Sequence, residues 1–178
     1  MLFRSPLYDT DPPSQAELSE VQVRVARAAG KLLVQMTWQD RTQDAATLPK
    51  IPETAYEARN MKEHTAESAR FFDAAAVMAS GGGSGTPSLQ MGDAEHPVKI
   101  YYWNATRGAM LMAAEGRSTT RRLGQTFPAR GVWRNGAWRV TFELPDAGAG
   151  APLSFAVWNG SQLDRDGRKY FSVWHWLQ

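Results

Sequence analysis

Few residues in this chain could do chemistry. It has three histidines, His64, His96 and His175, and no cysteine. No two histidines fall in an H-E-x-x-H or other metal-ligand spacing. Without cysteine, disulfides, thiolate zinc sites, iron–sulfur ligation and a covalent C-x-x-C-H haem are excluded. No nucleophile elbow, phosphate-binding loop or dinucleotide fingerprint is present. Asp164 and Asp166 could take calcium, but the rest of an EF-hand is missing, so a solvated loop is the simpler reading. What stands out is a lysine. Lys169 heads a row formed by Phe171, Val173, His175 and Leu177, which share one face of a predicted strand. Two readings are open. The lysine snorkels to water, or it is held inward to bind something. Nothing nominates a nucleophile–base pair, so the residues by themselves lead to binding rather than catalysis.

The elements that must position Lys169 can be read around it. Residues 155–158 are rich in β-formers and end at Asn159-Gly160. A charged loop, 164–169, follows, with Gly167 as its expected positive-φ position. Strand 170–177 closes the chain. Upstream, 18–28 and 31–39 alternate about Gly30 and predict a hairpin. So does 131–144, which turns at Asn135-Gly136. Residues 98–104 predict a strand with Lys99, Tyr101 and Trp103 on one side and Val98, Ile100 and Tyr102 on the other. Another strand is predicted at 110–114. Residues 71–77 fit a helix or a buried strand equally. A helical segment is predicted within 53–70, a region rich in Ala, Glu and Met. The Gly/Ser-rich stretch 80–88 reads as a flexible loop. These features predict a mainly β fold, an antiparallel β-sandwich with a short helical insertion.

Composition sets the outer bounds. The 178 residues suffice for a single domain, 1–178, with residues 1–15 as an extended arm. The 43% hydrophobic and 21% charged fractions describe a globular chain. Net charge is +2 with no long basic run, which argues against nucleic acid. No apolar run reaches membrane-spanning length. Seven tryptophans suit a β-rich core or a pocket for a flat ligand. Met1-Leu-Phe-Arg-Ser-Pro has no signal-peptide core. Either the protein is made without one or the chain begins after it.

Three segments carry a resemblance when taken together. The first is Gln90-Met-Gly-Asp-Ala-Glu-His-Pro-Val-Lys-Ile-Tyr-Tyr-Trp-Asn-Ala105. The second is Ala114-Glu-Gly-Arg-Ser-Thr-Thr-Arg-Arg122. The third is Phe155-Ala-Val-Trp158 with Asp166-Gly-Arg-Lys169. A weaker match is Trp133-Arg-Asn-Gly-Ala-Trp138. The chain resembles, over about residues 18–177, the haem-binding gamma subunits of type II enzymes of the dimethyl sulfoxide reductase family. These include ethylbenzene dehydrogenase, dimethyl sulfide dehydrogenase, selenate reductase and chlorate reductase. The chain departs from them in the Gly-rich loop at 81–85 and in the N-terminal arm.

The resemblance implies a β-sandwich holding one non-covalent haem b between an axial methionine and an axial lysine. The matching positions are Met91 and Lys169, with His96 and His175 as rival ligands. Arg121 and Arg122 would meet the haem propionates, as arginine suits carboxylates, or form a solvated pair. Tyr101, Trp103, Phe155 and Trp158 are the candidate haem walls, although alternating faces cannot all touch one ligand. The subunit implied is an electron relay, not a catalyst. It would pass electrons between the iron–sulfur clusters of a beta subunit and an external carrier such as cytochrome c. An alpha subunit with a molybdenum bis-pterin centre would do the substrate chemistry. The implied compartment is the periplasm. The rival reading, from architecture alone, is a carbohydrate-binding module using exposed aromatic side chains as stacking platforms.

Overall fold

Two tight turns show how local sequence starts this fold. Ala29-Gly30 (φ 50° and 71°) and Asn135-Gly136 (φ 53° and 71°) place both central residues in the left-handed region. That is the type I′ geometry that matches strand twist and closes a two-residue hairpin. The computed structural model describes residues 2–4, 18, 20–45, 71–82, 85–145, 150–162, 164 and 166–177. The strands among them are β1 Leu2–Arg4, β2 Val21–Ala28, β3 Lys31–Gln39, β4 Ala74–Ser80, β5 Val98–Asn104, β6 Gly108–Ala114, β7 Arg121–Arg122, β8 Ala129–Arg134, β9 Ala137–Pro145, β10 Pro152–Trp158, β11 Tyr170–Ser172 and β12 His175–Trp176.

They form two sheets. The smaller has the order β2-β3-β9-β8, with every pair antiparallel. The larger has the order β1-β11-β10-β4-β5-β6-β7, with β12 added to β10, and is also antiparallel throughout. The predicted mainly β, antiparallel sandwich is therefore what the chain forms. The helical segment expected within 53–70 lies outside the described residues.

Between the sheets lies the main core. Leu32, Val34, Met36 and Trp38 of β3 and Trp138, Val140, Phe142 and Leu144 of β9 face Ala75, Val77, Tyr101, Trp103, Leu111, Leu153, Phe155 and Val157 of the larger sheet. Alternation in β3 and β9 follows from this one-sided burial. The tryptophans interlock. Trp138 lies 6.3 Å from Trp38, stacked, and 5.2 Å from Trp103, edge-on. Gly131 of β8 makes room for this, since a Cβ there would come within 2.1 Å of the Trp103 ring.

The structure decides one reading left open and changes three others. Residues 71–77 are not helical; β4 is a central strand, buried on both faces. Within the predicted arm, 2–4 is paired with β11. Strand 170–177 breaks at Val173-Trp174. Val173 is exposed while Trp174 is buried, so the apolar row running on from Lys169 stops at Phe171. In the charged loop the left-handed residue is Asp166 (φ 52°), not Gly167.

Gly131→Ala is expected to destabilise the chain by about 1–3 kcal/mol, because the added methyl must displace the buried Trp103 ring, which packs edge-on against Trp138. Urea unfolding measures this, and an unchanged midpoint would show that β8 does not press on Trp103.

Candidate functional site

The larger sheet buries its second face as well. On that outer side Ala74, Ala76 and Met78 of β4, Val98 and Ile100 of β5, Ala114 of β6, Trp158 of β10 and Trp174 form a separate apolar cluster. Leu89, Met91, Tyr102, Met112 and Ala156 pack against it and are less deeply buried. Strand registers align one row across this face: Phe171, Ala156, Ala76, Tyr102 and Met110. Two alanines thus lie between two aromatic residues. From Phe171 to Tyr102 is three strand spacings, about 14 Å. The row is low but covered: Ala76 is 3% exposed, and the Tyr102 and Trp158 rings meet edge-on at 5.4 Å across β4.

Met91 and Lys169 reach this face from opposite ends of the sheet. Met91 belongs to the loop entering β5 and packs on the cluster near Val98 and Ala114. Its backbone is unusual: Met91 and Gly92 both have φ 75°. For methionine this region is sparsely populated and costs energy, so surrounding contacts must hold it. Gly116 N–H donates to the Met91 carbonyl (2.9 Å), and Gly92 N–H to the Ser88 carbonyl (2.8 Å). Gly92 cannot be replaced cheaply, because a Cβ there would sit 2.7 Å from the His96 carbonyl. Asp93 accepts at one oxygen from the backbone N–H of Glu95 (3.1 Å) and His96 (2.9 Å), and lies 3.0 Å from His96 Nδ1. Desolvation works against the Asp93 charge, but these bonds and that of Ser88 prevail and hold its pKa below the usual carboxylate value. Trp174 Nε1 donates to the Pro87 carbonyl (2.7 Å) and ties the loop to the C-terminal segment. The loop that carries Met91 is thus pinned at several points.

Lys169 sits beyond the end of β10, with Nζ 5.2 Å from the centre of the Trp158 ring. Trp158 donates from Nε1 to the Asp166 carbonyl (3.1 Å) and meets Tyr102 edge-on at 5.4 Å. The loop before it is built on a buried acid. Asp164 accepts from Asn159 N–H (3.2 Å) and pairs with Arg168 at 3.4 Å. This corrects the expectation of a solvated loop, since Asp164 is 1% exposed. Burial lowers the Lys169 pKa from its ordinary 10.5, against the opposing charge of Asp166. Losing the proton, which frees a lone pair for a metal, is therefore easier than for a solvated lysine.

The other predicted contacts divide by face. Trp158 is on the outer face. Trp103 and Phe155, with Tyr101, are in the inter-sheet core. Strand alternation turns them away from Met91 and Lys169, so as walls for a ligand held by that pair they are corrected to core residues. Arg122 is registered with Met112 on the outer face, whereas Arg121 is registered with Ala113 and ion-pairs with Glu115 at 3.3 Å. His175 is exposed and lies 5.9 Å from the Phe155 ring, which belongs to the core side. Sequence reasoning missed Tyr102, Ala76, Ala156 and Trp174. Alternation in 98–104 had already separated Tyr102 from Trp103, but not which of the two faces the loops would cover.

Comparison with known proteins bears on this face. No family model matches the chain, and no solved structure matches it. Three curated relatives do. The chain is 29% identical over 174 residues to a Haloferax mediterranei protein assigned as a respiratory nitrate reductase heme subunit, ORF7, covering 91% of this chain and 56% of the relative. It is 28% identical to the gamma subunit of dimethylsulfide dehydrogenase from Rhodovulum sulfidophilum, covering 89% and 59%. It is 25% identical to the gamma subunit of chlorate reductase from Ideonella dechloratans, covering 90% and 65%. The chain thus spans less than two thirds of the length of each. The resemblance read from the motifs holds along nine tenths of this chain.

A depressed lysine has a consequence for stability. Unfolding returns the group to a pKa near 10.5, so below that value the unfolded state binds more protons and stability rises with pH. Lys169→Met is expected to be at least as stable as the parent near neutral pH, with its advantage shrinking as pH approaches the ordinary lysine value. Thermal melts between about pH 7 and 10 measure it. A variant less stable than the parent at neutral pH would mean that the ammonium is well solvated in the fold.

Proposed function

We propose that this chain is a haem b-binding electron-transfer subunit, with Met91 and Lys169 as the axial ligands. The observation that carries the reading is the delivery of a thioether and a deprotonation-prone amine to one apolar face, from loops at opposite ends of the same sheet. The residues fit the group. Small residues, Ala76 and Ala156, lie between Tyr102 and Phe171, so a flat ligand would reach the sheet by displacing the Tyr102–Trp158 ring pair that covers Ala76. No cysteine is available for covalent attachment, so axial ligands and apolar packing must hold it. Bound there, haem supplies a one-electron iron couple.

The chain's own groups do the rest. Lys169 would hold iron as the neutral amine, and the burial that lowers its pKa would reduce the cost of losing the proton. Met91 offers a soft donor that favours the ferrous state and raises the potential. Trp158 and Tyr102 exclude water beside the lysine. Arg122, exposed at the β7 edge of this face, is placed for a propionate; Arg121 is engaged by Glu115. Substrate chemistry belongs to a partner. The subunit relays electrons between the iron–sulfur beta subunit of a molybdenum bis-pterin enzyme and a carrier such as cytochrome c, in the periplasm. No helix among the described residues is long and apolar enough to cross a membrane. A sugar-binding surface has less support, since Trp176 is the one aromatic among the exposed large hydrophobic residues described.

Absorption spectroscopy tests the ligand pair. The purified or haem-reconstituted chain is expected to show a Soret band with a low-spin spectrum. Met91→Ala should lose haem or lower its potential. Lys169→Ala should lose the low-spin signal, and Lys169→Arg should not restore it, because guanidinium stays protonated. His96→Ala and His175→Ala should leave the spectrum intact. Loss of the low-spin signal in a histidine variant but not in Lys169→Ala would overturn the assignment.

A further inference from the structure

A second group of titratable side chains lies away from the proposed haem face, at the end of the sandwich. Asp40 follows β3, Asp44 lies in the loop beyond it, and Asp73 immediately precedes β4. One carboxylate oxygen from each lies within 4.8 Å of the others. Asp40 and Asp73 are 3% and 0% exposed. Asp73 is well supplied with donors. Its Oδ2 accepts from Asp44 N–H (2.7 Å) and Trp138 Nε1 (2.8 Å), and its Oδ1 from Gly160 N–H (3.0 Å). Asp44 Oδ2 takes the Thr42 hydroxyl at 2.8 Å. Asp40 is different. Its Oδ1 has Thr42, but Oδ2 is fully buried with no hydrogen-bond partner.

An orphaned carboxylate oxygen beside two further carboxylates is expensive unless a cation or a proton accompanies it. The geometry suits a cation. Two oxygens ligating one calcium at 2.3–2.6 Å can be no more than about 5 Å apart, and all three aspartates meet that limit. The donor set is all oxygen, which selects hard cations over zinc, copper or iron. Burial selects calcium over magnesium, which keeps several waters.

We infer that Asp40, Asp44 and Asp73 form a structural calcium site that ties together the ends of β3, β4, β9 and β10. The ties are visible around it. Asp73 joins β9 through Trp138 and the turn after β10 through Gly160, and its carbonyl takes Ala105 N–H at the β5–β6 turn (2.9 Å). A Cβ on Gly160 would lie 2.6 Å from Asp44 Cβ, so these segments are in close contact. Without a metal, burial first and the Asp73 charge second push the Asp40 pKa up to about 7.

Two measurements on the EDTA-treated full chain test the site without using haem absorbance. CaCl2 is expected to bind saturably at one site and to raise the melting temperature above neutral pH, with MgCl2 far less effective. TbCl3 should give luminescence sensitised by the adjacent tryptophans, displaced by CaCl2. Asp40→Asn should weaken calcium binding by about tenfold or more through loss of a charged ligand, while its metal-free melting temperature holds or rises. Asp44→Asn, nearer the surface, should weaken binding in the same way. Two outcomes would overturn the inference: no binding by the parent chain at millimolar CaCl2, or binding left unchanged in both variants. The first would make the cluster a proton-sharing pair, and the second would move the ion elsewhere.

Discussion

Everything in this fold depends on β4 being buried on both sides. A strand in a sandwich ordinarily hides one face and wets the other, which produces alternation. β4 instead reads Ala-Ala-Ala-Val-Met-Ala-Ser, and its first six residues are all buried. Ala75, Val77 and Ala79 face the smaller sheet, while Ala74, Ala76 and Met78 belong to the outer cluster. Small side chains on the outer face keep it low. The taller residues stand to either side, Tyr102 on β5 and Trp158 on β10. The meeting of the Tyr102 and Trp158 rings over β4 is thus a consequence of alanine on the central strand and larger residues on its neighbours.

A face of that kind needs polar groups delivered from outside, because a strand cannot present a buried lysine without desolvating it. The chain uses loops, and each loop is organised by an aspartate. Asp93 gathers the backbone amides after Met91, and Asp164 caps the turn before Lys169. Asp73 ties that turn to the smaller sheet through Gly160 and Trp138. Asp93 and Asp73 each accept more than one backbone N–H, and Asp164 accepts that of Asn159, groups that irregular backbone would otherwise leave unpaired. Left-handed backbone at Met91 and Asp166 belongs to the same arrangement. These are the places where the chain departs from regular strand to aim a side chain, and they depend on the hydrogen bonds that surround them.

Local pattern made much of the architecture legible. Asn135-Gly136 and the alternation on both sides of it specify the β8–β9 hairpin with its register. The same holds for β2–β3, and 98–104 is a strand with the predicted bounds. Met91 and Lys169 became candidates only through combined motifs, because a single methionine or lysine has no periodic signature. Three matters were not legible at all. A continuous apolar run such as 71–77 has neither helical nor strand periodicity when both faces are buried. The break at Val173-Trp174 follows from a distant demand, the tie of Trp174 to Pro87. The grouping of Asp40, Asp44 and Asp73 joins residues that follow β3 to one that precedes β4, far apart in sequence.

The amino-acid sequence by itself determined which side chains share a strand face, where the hairpins turn, and that no cysteine chemistry is possible. These are local properties, set by the two-residue period of a strand and by the conformations that Asn and Gly tolerate. Tertiary structure alone decided which of two equally apolar faces meets the second sheet. That choice sent Trp103 and Phe155 into the core and left Tyr102 and Trp158 beside Lys169. The physical reason is that alternation sorts residues into two sets without labelling either as inside. The label comes from what packs on each face, and for the larger sheet both sets are buried against different partners.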